Sequence, residues 1–301
     1  MATNNIVRTA QASKRVVIQS ISAKDSQRML LYKDSDVVAI NKPAGIAVHA
    51  GPGLTQELTS YLPLWQYEAQ SPPSIAHRLD KDTSGVLLLS RTAEAATRLR
   101  RLFEDKMILK NYCAITVNVP EKAEGSIEVP LSVKDLSTQQ SNTHGMHRVI
   151  LRTDKIDMFS EALAGTTLPG GLQLAWTKYN ILSSYGRRCS LLDLELVTGF
   201  KHQLRAHLAD GLTCPVLGDH KFAGPLMRKY PALKKKLQSL GPMGYTKGRM
   251  YLHAYQVQII DYFGVQRPLT IMAPLPPYFV QALKSLGLQI PSKYRNRILS
   301  V

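Results

Sequence analysis

Apolar and polar positions change period several times along the chain, and each change marks an element. Asp36-Val37-Val38-Ala39-Ile40-Asn41 is a short, nearly continuous apolar run closed by Lys42-Pro43-Ala44-Gly45, which predicts a buried strand entering a turn. Gly51-Pro52-Gly53 marks a loop, a short helix is expected over residues 54–61, and Ser71-Pro72-Pro73 ends that section. Val86-Leu87-Leu88-Leu89 is a second continuous run suited to a buried strand. Thr92 then stands as the N-cap of a helix carrying Ala95, Ala96, Leu99, Leu102 and Phe103 on one face, with Arg98, Arg100 and Arg101 off that stripe. Over residues 110–119 the period falls to two. Cys113, Ile115, Val117 and Val119 point one way, and Tyr112, Ala114, Thr116 and Asn118 the other. With the first set on a core, Tyr112 turns away from it.

Residues 134–172 are polar, contain glycine and hold no firm period, so an insertion or mobile excursion is expected there. Strands are expected at 174–183 and 189–197, then a helix over about 201–210 with Gly211 as its C′ residue. The stretch 227–247 is basic and includes Lys234-Lys235-Lys236. Strands at 252–260 and 269–272 precede a last helix opened by Pro276-Pro277 and ended by Gly287. No internal repeat or low-complexity tract appears. Strands and helices mix without regular β-α-β alternation, which favours an α+β fold.

The chain of 301 residues allows one large domain or two smaller ones, and its 44% apolar content permits a sizeable core. Lys plus Arg is 38 and Asp plus Glu is 22, so the net charge is +16. A pI near 9.8 points to a polyanionic partner, the bland alternative being a basic protein without nucleic acid. Cys113, Cys189 and Cys214 are odd in number and far apart, which argues against a disulfide framework and for a reducing compartment. No apolar stretch approaches a membrane span. Residues 1–30 carry Arg8, Lys14, Arg15, Lys24 and Arg28 against Asp25 alone, without an apolar h-region. Such a segment reads either as a transit peptide or as a basic tail that touches RNA.

Two stretches hold candidate chemistry. His77-Arg78-Leu79-Asp80-Lys81-Asp82-Thr83-Ser84-Gly85 lies between a Pro-rich loop and a buried strand. Alone it reads more readily as a structural ion-pair loop than as a functional one. Thr198-Gly199-Phe200-Lys201-His202-Gln203-Leu204-Arg205-Ala206-His207-Leu208 sets Leu204 and Leu208 toward the core and Lys201 and Arg205 on another face at i, i+4. Two cations in register can take a phosphate or a carboxylate, or form a solvated basic face. The histidines make poor metal sets. His202 and His207 are i, i+5, and His144 and His147 lack nearby acids or cysteines, so no metal is expected.

These stretches, with others in order, resemble the RluA-type pseudouridine synthases. His77-Arg78-Leu79-Asp80 with Thr83-Ser84-Gly85 is similar to that family's signature loop, and Asn41-Lys42-Pro43 with Gly45 to the strand and turn before it. Lys110-Asn111-Tyr112-Cys113-Ala114, Thr198-Gly199 with His202-Gln203-Leu204-Arg205, Pro215-Val216-Leu217-Gly218-Asp219 and Leu252-His253-Ala254 follow in the family's order. The match spans roughly residues 34–280 and is strongest to animal mitochondrial members. Phe200 stands where bacterial relatives usually have Arg, a lost phosphate contact that Lys201 beside it can replace. Residues 1–33 are too few for the S4 RNA-binding domain of many bacterial relatives. They are read as a basic extension, with one catalytic domain over 34–301.

The resemblance implies a mixed, mostly antiparallel central sheet flanked by helices, with a central RNA-binding cleft. It implies isomerisation of uridine to pseudouridine in structured RNA without cofactor or metal: uracil leaves C1′, rotates and rejoins through C5. Asp80 would supply the carboxylate, attacking C1′ or taking a proton from C2′. Arg205 would pair with Asp80, and Tyr112 would lie against the uracil or ribose. A uridine must leave its stack to be reached, and Arg78 is the candidate wedge, its rival role being a phosphate clamp. Lys42, Lys201, His202 and the cluster Lys234-Lys235-Lys236 are further expected RNA contacts. Mitochondrial rRNA is the expected substrate, with tRNA and mRNA as alternatives, and mitochondrial ribosome-assembly factors are candidate protein partners. The expected compartment is the mitochondrial matrix, with cytoplasm or nucleus as alternatives. The competing reading is a non-catalytic RNA-binding or ribosome-assembly protein that keeps the fold.

Overall fold

The computed structural model describes residues 20–49, 57–135, 147–160, 163–229, 231–232, 235, 249–262, 267–292 and 294–295. Helix α1 (Ala23–Met29) opens with a capping box in which Ser22 and Asp25 each take the other's backbone N–H. Strands β1 (Leu30–Lys33), β2 (Val37–Lys42), β3 (Ser74–Ile75) and β4 (Ser84–Ser90) follow, then α2 (Ala93–Glu104) and the long β5 (Ile108–Val117). After β6 (Glu124–Ile127) come β7 (Leu131–Asp135), β8 (His147–Leu151), β9 (Thr167–Leu168) and β10 (Leu172–Gln173). The rest comprises β11 (Thr177–Tyr185), β12 (Cys189–Leu196), α3 (Gln203–Ala206), α4 (His220–Lys229), β13 (Leu252–Ile259), β14 (Leu269–Met272) and α5 (Pro277–Ser285).

Ten of these strands form one sheet in the order β1-β2-β4-β13-β5-β12-β11-β6, with β3 also on β4 and β14 also on β13. Only β4 and β13 run parallel; the other pairs are antiparallel. The α+β architecture expected from the sequence is the one observed. Gly85 is required at the parallel junction. Its φ is +118°, and a Cβ there would fall 2.1 Å from the Ala254 carbonyl oxygen.

The apolar runs explain why this sheet lies between layers. All seven residues of β4 are buried, with Leu87 and Leu89 in one cluster and Val86 and Leu88 in another beneath Leu99 of α2. Burial of each such leucine contributes about 1.5–3 kcal/mol. The alternation in β5 holds too. Cys113, Ile115 and Val117 pack toward Phe279, Ala282 and Leu283 of α5, and Tyr112 and Ala114 face the opposite cluster with Leu204 and Leu208. Both faces of β5 are apolar, so Tyr112 leaves one core only to enter the edge of another.

Several boundaries differ from the sequence reading. The helix expected at 54–61 is a 3₁₀ helix at Leu58–Trp65, and residues 54–56 lie outside the described residues. The stretch 134–172 includes a second, four-stranded sheet in the order β8-β7-β10-β9, while 136–146 and 161–162 lie outside the described residues. The helix expected at 201–210 is one turn of α-helix, α3, which widens into a π turn at His207–Gly211. Thr213, at φ 56°, rather than Gly211 takes the left-handed conformation beyond it. Helix α4 corresponds to no expected element. Of the lysine cluster only Lys235 is described. The last helix ends as expected: Gly287 has φ 65°, and Leu288 N–H donates to Leu283 O at 2.9 Å. No described helix is long and apolar enough to cross a membrane.

Candidate active site

The loop 77–85 hangs between β3 and β4 and is tied down along its length. His77 Nε2 accepts the Leu88 N–H at 3.0 Å, which fixes this nitrogen as unprotonated. Burial and the charge of Lys110 hold the His77 pKa down to about 3. Thr83 N–H donates back to Asp80 O at 3.1 Å, and Gly45 N–H donates to Lys81 O at 2.8 Å. Ser84 Oγ lies 2.8 Å from His253 Nδ1, whose Nε2 is 3.1 Å from Ala273 O. The carbonyl can only accept, so the His253 proton sits on Nε2 and Ser84 donates to Nδ1.

Lys42 corrects the sequence reading. Its side chain is fully buried, and its ammonium donates to Pro43 O at 2.8 Å, Ile46 O at 2.9 Å and Lys81 O at 3.1 Å. Burial lowers its pKa to about 7 against the pull of Asp82 and Asp80. An ammonium has three donors, and all three are used. Lys42 therefore straps the turn after β2 to the catalytic-loop candidate and has nothing left for a phosphate.

Asp80, Tyr112 and Arg205, 125 residues apart at the extremes, do converge on one cavity of about 470 Å³. Arg205 NH1 donates to Asp80 Oδ2 at 3.0 Å. The other edge of the guanidinium grips Asp219, with Nε to Oδ2 at 2.7 Å and NH2 to Oδ1 at 2.8 Å. Asp219 Oδ1 also accepts the Lys221 and Phe222 N–H groups at the start of α4. Burial lowers the Arg205 pKa, but the hydrogen bonds and charges of Asp219 and Asp80 outweigh it and raise the value overall. The Phe222 ring stacks 5.1 Å from the guanidinium. Asp80 Oδ1 faces His202 Nε2 at 3.8 Å, beyond hydrogen-bond reach.

His202 itself has φ 56°, in the left-handed region, immediately before α3. Burial, opposed by Asp80, brings its pKa to about 4, so it is neutral near pH 7. Its ring packs edge-on against Phe222, and its buried Nδ1 has no hydrogen-bond partner among the described residues. Tyr112 is 5% exposed and lines the same cavity. Burial and then the Asp80 charge raise its pKa, so the phenol keeps its proton. Arg78 is exposed and lines the cavity. Lys201 is exposed and outside the lining.

A buried network sets the orientation of α3. Gln203 Oε1 accepts from Thr198 Oγ1 at 2.8 Å and Phe200 N–H at 3.1 Å. Its Nε2 donates to Trp176 O at 2.9 Å and Thr177 Oγ1 at 3.0 Å. His207 Nδ1 lies 2.9 Å from that same Thr177 Oγ1, and Nε2 lies 3.1 Å from Val129 O. Burial lowers the His207 pKa to about 4.

The sequence reading assigned no role to Asp219, Phe222 or Lys110. Asp219 stands just before α4, and an Asp ahead of a helix is an N-cap signal that would have located it. Among the described residues, no group of three His, Cys, Asp or Glu side chains is placed to hold a metal ion.

Comparison with known proteins agrees with this arrangement. Residues 36–210 match the RNA pseudouridylate synthase family. The mitochondrial pseudouridylate synthase RPUSD4 of Rattus norvegicus is 33% identical over 302 residues, covering 97% of this chain and 78% of the relative. Ribosomal large subunit pseudouridine synthase C of Rickettsia prowazekii is 31% identical over 254 residues, covering 84% of this chain and 70% of the relative. The solved structure of human RNA pseudouridylate synthase domain containing 4 superposes with a TM-score of 0.64 at 30% identity, over 90% of this chain and 97% of that one. The chain belongs to the RNA pseudouridylate synthase family.

Proposed function

We propose that this pseudouridine synthase acts on uridines in structured mitochondrial RNA, foremost rRNA, and that Asp80 is the group that engages the ribose. Turning uridine into pseudouridine breaks the C1′–N1 bond and makes a C1′–C5 bond, so a carboxylate must meet the sugar. The supporting observation is the relay Asp219–Arg205–Asp80. Asp219 occupies two nitrogens of the guanidinium, Nε and NH2, and the third, NH1, grips Asp80 Oδ2. That leaves Oδ1 as the oxygen turned to the substrate. Tyr112, protonated beside it, is the surface for the base or sugar. Arg78 is the residue that holds or replaces the flipped nucleotide. The matrix is the compartment this reading requires, and the mitochondrial names of several relatives support it.

The test pairs purified protein with transcripts of mitochondrial rRNA and maps pseudouridine at single-nucleotide resolution. Wild type should modify a defined site, and Asp80→Asn should bind the same RNA without turnover. Substantial turnover by a folded Asp80→Asn variant ends the assignment. Fractionation of cells expressing the full chain checks the compartment, and a cytoplasmic or nuclear pool alone would overturn that part.

A further inference from the structure

Of the cations that line the cavity outside the relay, Lys110 is the most buried. Lys110 precedes Tyr112 by two residues on β5, so both side chains emerge from the same strand face, about 7 Å apart along it. Lys110 lines the same cavity as Asp80 and Tyr112. Its ammonium lies 5.7 Å from the centre of the Phe103 ring. A Cβ on Gly199 would come within 3.2 Å of Nζ, so the bare glycine backbone leaves the space this ammonium uses.

Glu104 lines the same cavity but forms no ion pair with Lys110. Among the described residues Lys110 makes no ion pair, whereas Asp80 and Asp219 are both engaged by Arg205. Burial depresses its pKa to about 8, with no carboxylate pulling the other way. His77 beside it is neutral, with Nε2 committed to Leu88. A half-buried ammonium facing a cavity without an acid partner is built for an anion that arrives with the substrate.

The reaction supplies one. When the C1′–N1 bond breaks, its electron pair stays on N1, and the detached uracil is an anion delocalised over N1 and the carbonyl oxygens. In the nucleophilic route the Asp80 oxygen bonds to C1′ as N1 leaves. C5 then bonds to C1′ while the Asp80–C1′ bond breaks and returns its pair to the carboxylate. The C5 proton passes to water, and N1 takes a proton from water. Uracil is neutral in substrate and product and charged only between them. A fixed cation in the cavity therefore favours the intermediate over both ends, which is what raises rate rather than affinity.

We propose that Lys110 is the catalytic cation that pairs with the detached uracil anion between its release from C1′ and its return through C5. This rests on reading the cavity as the uridine site. Arg78 and Arg100 line the cavity and are exposed, and they suit backbone phosphates better than the more buried Lys110 does.

The experiment is single-turnover kinetics with saturating enzyme on a proven RNA substrate, alongside direct measurement of RNA Kd. Lys110→Met, which keeps the bulk without the charge, should slow the step by about 10²- to 10³-fold with Kd essentially unchanged. Lys110→Arg should recover part of the rate. Lys110→Ala should be partly rescued by added methylammonium, a response that a packing role does not give. Thermal melting confirms folding, and Lys110→Gln replaces Lys110→Met if the latter melts early. An unchanged rate overturns the proposal. So does a loss carried by Kd, which marks Lys110 as a phosphate contact. If Asp80→Asn stays active, the site reading fails first; if Asp80→Asn is inert while Lys110→Met is fully active, only the role of Lys110 fails.

Discussion

The layer that supports the cavity lining and the α2-side wall of the cavity treat charge in opposite ways. In that layer Asp219 and Lys42, which do not line the cavity, and Arg205, which does, spend their main hydrogen-bonding capacity on other protein groups, and together they act as its floor. On the wall, Lys110 is held beside Phe103 and Gly199 without a carboxylate. Satisfied charges hold a shape, since removing one partner strands the other in a poorly solvating place. Unsatisfied charges wait for a ligand. The same residue type, lysine, therefore serves as a strap at position 42 and faces the substrate space at position 110.

Breaking the floor should cost most in stability. Asp219→Ala leaves Arg205 buried with one acid instead of two and removes the acceptor at the start of α4. We expect a loss of about 3–5 kcal/mol in denaturant unfolding, with turnover lost as well. A fall under 1 kcal/mol would show that Asp80 and solvent already suffice for Arg205.

Acid should strike the same region. His207 has a folded pKa of about 4 against an ordinary value of 6.5. The unfolded chain binds more protons between those values, so stability is full above pH 6.5 and is lost as pH falls toward 4. The loss from His207 alone approaches about 3 kcal/mol, and His253 and His202 act in the same direction. Unfolding measured from pH 7 to 4 should show this slope, and His207→Gln should flatten it.

Lys42→Met sharpens the contrast between strap and ligand. It takes a donor from three carbonyls, of which Lys81 O keeps the Gly45 N–H, and should cost about 2 kcal/mol and slow turnover, with the salt dependence of RNA binding unchanged. A shallower salt slope would restore Lys42 as a phosphate contact. Arg78→Ala should do the reverse. Stability should stay within about 0.5 kcal/mol, while RNA handling weakens. A greater rate loss on a stem-loop than on a flexible single strand assigns Arg78 to flipping, and equal losses assign it to phosphate binding.

How far the sequence carried depended on where each signal was stored. The buried strands β2 and β4 and the capped helix α2 were legible because their apolar runs and Thr92 are local. The parity of Tyr112 was legible, but period two does not say whether the second face is open, and here it is buried. Asp80 and Arg205 were legible as a pair only through the resemblance, since nothing local joins residues 125 apart. Lys42 was misread because a lysine before a Pro-Ala-Gly turn has the composition of an exposed loop. The strands β9 and β10 are two residues each, too short to show any period. The left-handed backbone at His202 left little mark, because histidine, though enriched in that conformation among non-glycine residues, adopts it far less readily than glycine.

The place of β13 in the sheet has a consequence for when the enzyme becomes an enzyme. This strand lies between β4, which follows Asp80, and β5, which carries Tyr112. A nascent chain that has emerged only as far as residue 240 already contains Asp80, Tyr112, Arg205 and Asp219, yet no described strand hydrogen-bonds the two halves of its sheet together. Their union waits for residues 252–259, a closure of long sequence separation and therefore slow. Synthesis supplies the chemistry early and withholds the geometry until that strand is made.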